Sequence, residues 1–200
     1  METTVNRIAE DEEGAAFRED DEEDRSGGGG ADEWTPDLHW LTEHVAVGAC
    51  FPMARAARLA REHGIAAVVD LREEDRDDEP RLRAAGIALL HLPTPDLEPA
   101  SPEMLDRGVA FVAERVRRDE KVLIHCQHGI GRSPLLALCV MVDQGWAPLD
   151  ALTRAKEARE IVSPSRSQYD GWVGWLSARG KTAPDYHAFG CIAYRNLAGR

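Results

Sequence analysis

The segment HCQHGIGRS, residues 125–133, combines a cysteine, an arginine and two glycines within nine positions. Gly129 and Gly131 allow the backbone to curl, so that successive N–H groups can face a single anion. Cys126 at the start of such a loop lies in a positive field that favours its thiolate, which is a nucleophile. Arg132 adds a planar, two-pronged donor that suits phosphate oxygens. The spacing predicts covalent chemistry on a phosphoryl group.

This segment lies between two apolar stretches that predict regular structure. Residues 121–126 (KVLIHC) predict a buried strand, and residues 131–144 predict an apolar helix. In an open α/β sheet, ligands bind at the carboxyl ends of the strands. The junction between this strand and this helix is therefore a predicted binding site.

The rest of the chain predicts the elements that position this junction. An α/β fold, with a central, mostly parallel sheet flanked by helices, is indicated by the alternation of strands and helices. Gly64 is placed where a helix commonly ends, and Ser101 and Pro102 suit a helix start. The predicted strands are 44–51, 65–71, 87–93 and 121–126, and the predicted helices are 53–64, 81–86, 131–144, 148–160 and 165–178. A further helix is predicted to begin at Pro102, with an apolar stripe that includes Leu105 and Val116.

The negative charge of the chain is concentrated at one end. Residues 1–33 carry thirteen acidic and three basic residues, which leaves −2 of the total −12 for residues 34–200. This N-terminal segment is predicted to be a disordered acidic tail, for which a basic partner is one candidate. The nearly neutral remainder argues against binding of duplex nucleic acid. Without an apolar stretch long enough for a membrane span or a signal peptide, the sequence predicts a cytoplasmic protein.

Four cysteines are scattered along the chain without a C-x-x-C pair, at positions 50, 126, 139 and 191. Reduced thiols are expected, and neither a metal nor another cofactor is predicted. Cys139 falls within an apolar helix and is expected in the core. Cys50 ends the first predicted strand near the edge that holds Cys126, and whether the two form a redox disulfide is left open.

HCQHGIGRS resembles the signature of the cysteine-dependent protein tyrosine and dual-specificity phosphatases. The order of elements over residues 34–178 resembles the small dual-specificity fold. The resemblance implies that Cys126 attacks phosphorus and that Arg132 binds and stabilises the phosphoryl group. It also implies that Ser133 hydrogen-bonds the thiolate and that His125 organises the loop. The implied substrate-binding residues are Gln127, His128, Gly129, Ile130, Gly131 and Arg132.

Hydrolysis of a phosphoester also needs a proton donor for the departing oxygen. Asp96 lies thirty residues before Cys126, where the resemblance implies the general acid, and Glu98 is the reserve candidate. Gln168 resembles the glutamine that positions water in some members, although a polar residue at a helix start is also ordinary. A structural role is expected for the aspartate at position 70, and solvated positions for those at 75, 77 and 78.

Three substrate interpretations remain open. A protein phosphatase for phosphotyrosine, phosphoserine and phosphothreonine is favoured, because no tyrosine-bearing recognition loop is apparent and the signature loop holds no lysine. A phosphoinositide or RNA 5′-triphosphate phosphatase is the first alternative, and a phosphoprotein-binding pseudophosphatase is the second. In each case residues 34–180 are predicted to form the phosphatase-like domain, and residues 181–200 a C-terminal extension.

Overall fold

The computed structural model describes residues 34–195. The predicted acidic tail therefore lies outside the described residues. The strands are β1 (Leu38–Trp40), β2 (Val45–Gly48), β3 (Ile65–Arg72), β4 (Ala88–Thr94) and β5 (Lys121–His125). The helices are α1 (Ala56–His63), α2 (Glu79–Ala84), α3 (Pro102–Val116), α4 (Arg132–Asp143), α5 (Pro148–Ala158), α6 (Arg166–Ala178) and α7 (Tyr186–Ala193), with a 3₁₀ turn at Met53–Arg55.

The five strands form one sheet in the order β1-β2-β5-β3-β4. All neighbouring strands pair in parallel except β1 and β2, which are antiparallel. The predicted mostly parallel α/β fold is confirmed. Strand β1 is an addition to the prediction, since three residues are too short to show an alternating pattern.

The direction of the crossovers places helices on both faces of the sheet. The connections β2–α1–β3 and β3–α2–β4 run one way across the sheet, whereas β4–α3–β5 runs back. Because parallel crossovers are right-handed, the helices of opposite connections lie on opposite faces. Helices α1 and α2 contact each other, and α3 contacts α4.

Local signals explain where several helices begin and end. Gly64 follows α1 in a left-handed conformation (φ 70°). The Ser101 side chain accepts a hydrogen bond from the N–H of Met104 at the start of α3. Helix α4 is buried on all sides from Arg132 to Val142, which explains its unbroken apolar run. The N-terminus of this central helix follows directly on the loop after β5.

The described part of the C-terminal extension packs onto the core. In α7, Phe189 and Ala193 are fully buried. The Lys156 ammonium group in α5 donates hydrogen bonds to the carbonyls of Val162 (2.9 Å) and Ala193 (2.8 Å). Burial lowers the pKa of this lysine. The position of the domain boundary at residue 180 stays a prediction.

Among residues 34–195, no helix combines the length and the apolar composition that a membrane span requires.

Candidate active site

The loop between β5 and α4 is fixed by hydrogen bonds that its carbonyl groups accept. Four consecutive carbonyls accept hydrogen bonds from other segments. From residue 127 to residue 130, the donors are Cys50 N (3.3 Å), Arg159 Nη2 (2.7 Å), Arg159 Nε (2.9 Å) and Ser163 N (2.9 Å). The loop is thus fixed by the end of β2, the end of α5 and the segment before α6.

These carbonyl bonds determine where the loop N–H groups point. In a trans peptide unit the carbonyl and the following N–H point in opposite directions. Since the carbonyls of residues 127–130 face outward, the N–H groups of residues 128–131 face the cleft. The positive end of the α4 dipole lies at the same place. The loop therefore forms a cradle for an oxyanion of phosphate size.

Gly129 occupies a position in the loop that no other residue type fits. Its φ of +66° is unfavourable for other residues, and a Cβ there would lie 2.6 Å from the carbonyl oxygen of Gly48. At Gly131, a Cβ would collide with the side chain of Gln168. Gly129 is thus required by its positive φ and by close packing, whereas at Gly131 (φ −127°) the proximity of the Gln168 side chain alone favours glycine.

Arg159 is a buried residue that fixes the loop, a role that the sequence analysis did not predict. Besides the two loop carbonyls, its guanidinium pairs with the Asp37 carboxylate, with Nη2 2.8 Å from Oδ2. Its Nη1 also donates to Nδ1 of His39 (2.9 Å). The hydrogen bond from Arg159 is the main cause that lowers the pKa of Asp37. Nothing in the sequence around Arg159 indicates these contacts, because Asp37 is 122 residues away.

Cys126 and Ser133 lie at the floor of the loop. Their Sγ and Oγ atoms are 3.3 Å apart, and both residues are buried. This distance allows the hydroxyl to donate a hydrogen bond to a thiolate. The geometry is compatible with the implied roles of both residues, which stay predictions.

His125 is anchored by a buried carboxylate. Its Nε2 lies 2.9 Å from Oδ2 of Asp77, and its ring packs edge-on against Phe51 with centroids 5.6 Å apart. The expectation that Asp77 is solvated is wrong, since this residue is only 3% exposed. Residues 73–76 are exposed, whereas Asp77 turns inward and accepts a hydrogen bond from Arg72 at the end of β3. Asp77 thus connects the segment that follows β3 to His125, the residue before Cys126.

Arg72 is the centre of that buried network. Its guanidinium donates to Asp70 Oδ2 (3.0 Å) and Asp77 Oδ1 (2.6 Å). Burial alone would raise the pKa of Asp70, but the hydrogen bonds from Arg72 and the nearby His125 outweigh it, so the pKa is lowered. The ligand-type atoms of Asp70, Asp77 and His125 lie within 4.8 Å of one another. A metal ion does not suit this cluster, because Arg72 already supplies its positive charge.

Arg132 is held end-on by a second acidic side chain that the sequence analysis missed. Its Nη1 and Nη2 donate to the two carboxylate oxygens of Glu74, each at 2.7 Å, and Nη1 also donates to the Thr94 carbonyl (3.0 Å). In the described structure, its buried Nε has no hydrogen-bond partner. The edge formed by Nε and Nη2 is therefore available to an oxyanion while the end-on pair persists. The sequence shows only a charged loop after the strand; the pairing of β3 with β5 in the fold brings Glu74 to Arg132.

Replacement of Glu74 by glutamine is expected to lower kcat/KM about 10- to 100-fold, because the guanidinium loses its end-on anchor. The hydrogen bond from Arg132 lowers the pKa of Glu74 to about 2. A lowered pKa means that the ion pair is present above the ordinary value near ~4.3 and is lost only as the pH falls toward about 2. The decrease in kcat/KM of Glu74→Gln relative to the wild-type protein should therefore be constant between about pH 5 and pH 8. Glu73→Gln, at the exposed neighbouring position, is the control, and equal effects of both variants would contradict the anchoring role.

Asp96 lies at the mouth of the cleft, with its side chain 72% exposed and Oδ1 3.5 Å from Nη2 of Arg132. Glu98, the reserve candidate, is engaged elsewhere, since it accepts a hydrogen bond from Ser167 Oγ (2.6 Å). The structure thus brings Asp96 beside the loop and holds Glu98 against α6. The assignment of Asp96 as the acid remains a proposal.

Gln168 is a capping residue as well as a neighbour of the loop. Its Oε1 accepts a hydrogen bond from the N–H of Ser165 (2.8 Å), and its Nε2 donates to the Glu98 carbonyl (3.2 Å). Ser165 and Gln168 form a reciprocal capping box at the start of α6. The ordinary helix-start role is therefore present, and the water-positioning role stays a prediction.

These elements enclose a cavity of about 110 Å³. Its size suits a single tetrahedral oxyanion with part of its ester group. The lining residues are Asp96, Leu97, Cys126, His128, Ile130, Gly131, Arg132, Ser163, Ser165 and Gln168.

Two other cysteines differ from Cys126 in their surroundings. Cys139 is fully buried in α4, and burial raises the pKa of its thiol well above the usual range. Cys50 is half-buried and free, and burial raises its pKa as well. A disulfide between Cys50 and Cys126 stays an open prediction.

The sheet, the phosphate-sized loop and the signature residues define a cysteine-dependent phosphatase of the protein tyrosine and dual-specificity class. A family model described as "Polymorphic toxin system, DSP-PTPase phosphatase" matches residues 47–146, half of the chain. The chain belongs to this family. The resemblance stated for HCQHGIGRS is thereby confirmed at the level of the superfamily.

A curated relative and several solved structures are similar to the chain. The probable protein tyrosine phosphatase type IVA A of Dictyostelium discoideum is 29% identical over 80 residues, which are 39% of this chain and 48% of the relative. The chain thus spans about half the length of that curated relative. Tk-PTP in its active form is 27% identical with a TM-score of 0.65, covering 71% of this chain and 97% of its own.

Two further structures support the fold alone. PTPMT1 in complex with PI(5)P is 21% identical with a TM-score of 0.67, covering 72% of this chain and 99% of its own. Human DUSP28 is 21% identical with a TM-score of 0.60, covering 75% of this chain and 99% of its own.

Proposed function

We propose that this protein hydrolyses phosphomonoesters of proteins, at phosphotyrosine and at phosphoserine or phosphothreonine, through a phosphocysteine intermediate. The observation that carries the proposal is the convergence of Cys126, Arg132 and Asp96 on one cavity of about 110 Å³. A nucleophile, an oxyanion donor and a carboxylic acid are the three groups that phosphoester cleavage needs.

In the first step the Cys126 thiolate attacks phosphorus, and the bond between phosphorus and the ester oxygen breaks. The loop N–H groups and the Nε–Nη2 edge of Arg132 bind the equatorial oxygens as charge redistributes. Asp96 gives its proton to the departing oxygen, so that the product leaves as an alcohol or a phenol. The products of this step are the dephosphorylated residue, the phosphocysteine and the Asp96 carboxylate.

In the second step a water molecule attacks the phosphocysteine. The Asp96 carboxylate accepts a proton from this water, and the sulfur–phosphorus bond breaks to release inorganic phosphate. Ser133, whose Oγ lies 3.3 Å from Sγ, stabilises the thiolate that leaves. The enzyme returns to its starting state with Asp96 protonated.

The charges at the cleft favour substrates with one phosphate group. Of the described residues that line the cavity, Arg132 is the only permanent cation, whereas Asp96 is acidic. Glu74, which holds Arg132, adds a second carboxylate at 44% exposure. A phosphoinositide head group or an RNA 5′-triphosphate carries several negative charges, and no second permanent cation in this lining balances them. A single phosphate on a peptide is balanced by Arg132 and the loop N–H groups.

A substrate panel tests the proposed function. Peptides carrying phosphotyrosine, phosphoserine or phosphothreonine are compared with a phosphoinositide and an RNA 5′-triphosphate, by release of inorganic phosphate in the presence of EDTA. We expect turnover of the phosphopeptides and at least about 10-fold lower kcat/KM for the two polyanions. Preference for either polyanion would contradict the protein-phosphatase proposal. Binding of all peptides without phosphate release would identify a pseudophosphatase.

A further inference from the structure

A buried lysine contacts the segment that fixes the loop between β5 and α4. Lys156 in α5 is only 1% exposed and is not among the residues that line the cavity. Its Nζ donates hydrogen bonds to the carbonyls of Val162 (2.9 Å) and Ala193 (2.8 Å). Any effect of this charge on the site must therefore be transmitted by the groups that it contacts.

The Val162–Ser163 peptide unit connects this lysine to the loop. In a trans peptide unit the carbonyl and the following N–H point in opposite directions. Lys156 binds the carbonyl at one end, and the Ser163 N–H at the other end donates to the Ile130 carbonyl (2.9 Å). The Ile130 carbonyl in turn shares a peptide unit with the Gly131 N–H, which faces the cleft. Two peptide units in series thus join the ammonium group to a donor of the oxyanion cradle.

A cation at the start of such a series strengthens the donor at its end. A hydrogen bond to a peptide carbonyl draws electron density from the amide, so that the N–H of the same unit becomes a better donor, and successive bonds polarise one another. The first bond of this series has a charged donor, which makes it stronger than a neutral one. Val162 is fully buried, so water screens this effect little. The charge of Lys156 therefore favours binding of an anion at the Gly131 N–H without any direct contact.

Helix α7 supplies the second acceptor for this lysine. Ala193 is the last residue of α7 and is fully buried. Its carbonyl lies at the end of the helix where the dipole is negative and where carbonyls lack partners within the helix. Such an acceptor favours the charged form of a buried ammonium group. The end of α7 thus stabilises the cation at the start of the series.

We propose that Lys156 is a positioning residue for phosphoryl transfer, which orients and polarises the Gly131 N–H through the Val162–Ser163 and Ile130–Gly131 peptide units. This inference rests on the proposed function and adds to it a residue that does not touch the substrate. Donors that are oriented in advance stabilise the charge distribution of the transition state more than that of the bound substrate. Loss of Lys156 should therefore lower kcat and leave KM nearly unchanged.

Lys156→Met is the first variant, because methionine removes the charge and the donor while keeping an unbranched side chain. With an aryl phosphate, we expect kcat to fall about 10-fold and KM to change by less than about 2-fold. Vanadate imitates the five-coordinate transition state, so its inhibition constant should rise about 10-fold, whereas that of inorganic phosphate should change by less than about 2-fold. Lys156→Gln should show a smaller loss, because it keeps a neutral donor.

Tyr194→Phe is the matched control. The Tyr194 hydroxyl donates to the Pro164 carbonyl (2.7 Å), which belongs to the next peptide unit of the same segment but not to the series. This variant should change kcat and the vanadate inhibition constant by less than about 2-fold. Equal losses in Lys156→Met and Tyr194→Phe would overturn the proposal, as would a loss in Lys156→Met that is confined to KM.

The hydrogen bond between Ser163 and Ile130 can also be measured in the wild-type protein by NMR, as a scalar coupling between the Ser163 amide nitrogen and the Ile130 carbonyl carbon. This measurement does not depend on the folding of any variant, and absence of the coupling would overturn the series. Wild-type turnover that is unchanged in Lys156→Met would overturn the role of Lys156 alone. Absence of turnover by the wild-type protein on every phosphoester would overturn the proposed function instead.

Discussion

Replacement of Cys126 by serine is expected to lower turnover by more than about 10⁴-fold while phosphate binding persists. A serine hydroxyl is not ionised near neutral pH, so the attack on phosphorus is lost. The groups that bind the anion are unaffected, because the loop N–H groups and Arg132 do not depend on the sulfur. Phosphate release from an aryl phosphate measures the first effect, and calorimetric titration with tungstate measures the second.

Cys191→Ser provides the matched control, since this cysteine is exposed in α7. It should keep the turnover of the wild-type protein. Turnover by Cys126→Ser near the wild-type level would contradict the phosphocysteine mechanism. Loss of tungstate binding together with turnover would show that Cys126 is needed for the loop structure and not only as a nucleophile.

Replacement of Asp96 by asparagine is expected to produce a loss that depends on the leaving group. General acid catalysis contributes about 10²- to 10⁴-fold, and the full loss should appear with phosphoserine, whose alkoxide needs a proton to depart. An aryl ester with a strongly acidic phenol should lose much less, because its phenolate departs with little assistance. The ratio of kcat for the two substrates measures the effect.

Glu98→Gln is the comparison variant for Asp96. Its side chain accepts a hydrogen bond from Ser167 and does not line the cavity, so a small, equal effect on both substrates is expected. Equal losses on the two substrates in Asp96→Asn would contradict its role as the acid. A leaving-group dependence in Glu98→Gln instead would transfer that role to Glu98.

Two buried arginines, Arg72 and Arg159, support the candidate site without lining its cavity. Arg72 neutralises the carboxylates that anchor His125, and Arg159 holds two carbonyls of the phosphate loop while pairing with Asp37. Each satisfies several buried polar groups at once, which is the condition under which a buried charge is tolerated. Arg159 holds the loop carbonyls directly from the end of α5, so that the loop N–H groups are available to an anion. Arg72 acts on the site from β3, through Asp77 and His125.

The sequence by itself predicted the features that depend on short segments. The signature at residues 125–133 specifies a turn, a thiol and a guanidinium within nine positions, and the alternation of apolar runs specifies an α/β sheet. Strands that are joined through helices, and not by hairpins, favour parallel pairing. Such patterns can be recognised in a sequence because each depends on residues that lie close together along the chain.

Contacts between distant segments were decided only by the tertiary structure. Glu74 and Arg132 are 58 residues apart, and Asp37 and Arg159 are 122 residues apart. The burial of Asp77 could not be predicted from its charged surroundings, because it depends on Arg72 and His125 meeting it at one sheet edge. From sequence alone, charged residues such as these are expected to be exposed to solvent. Only the tertiary structure shows which of them are buried and paired with another side chain.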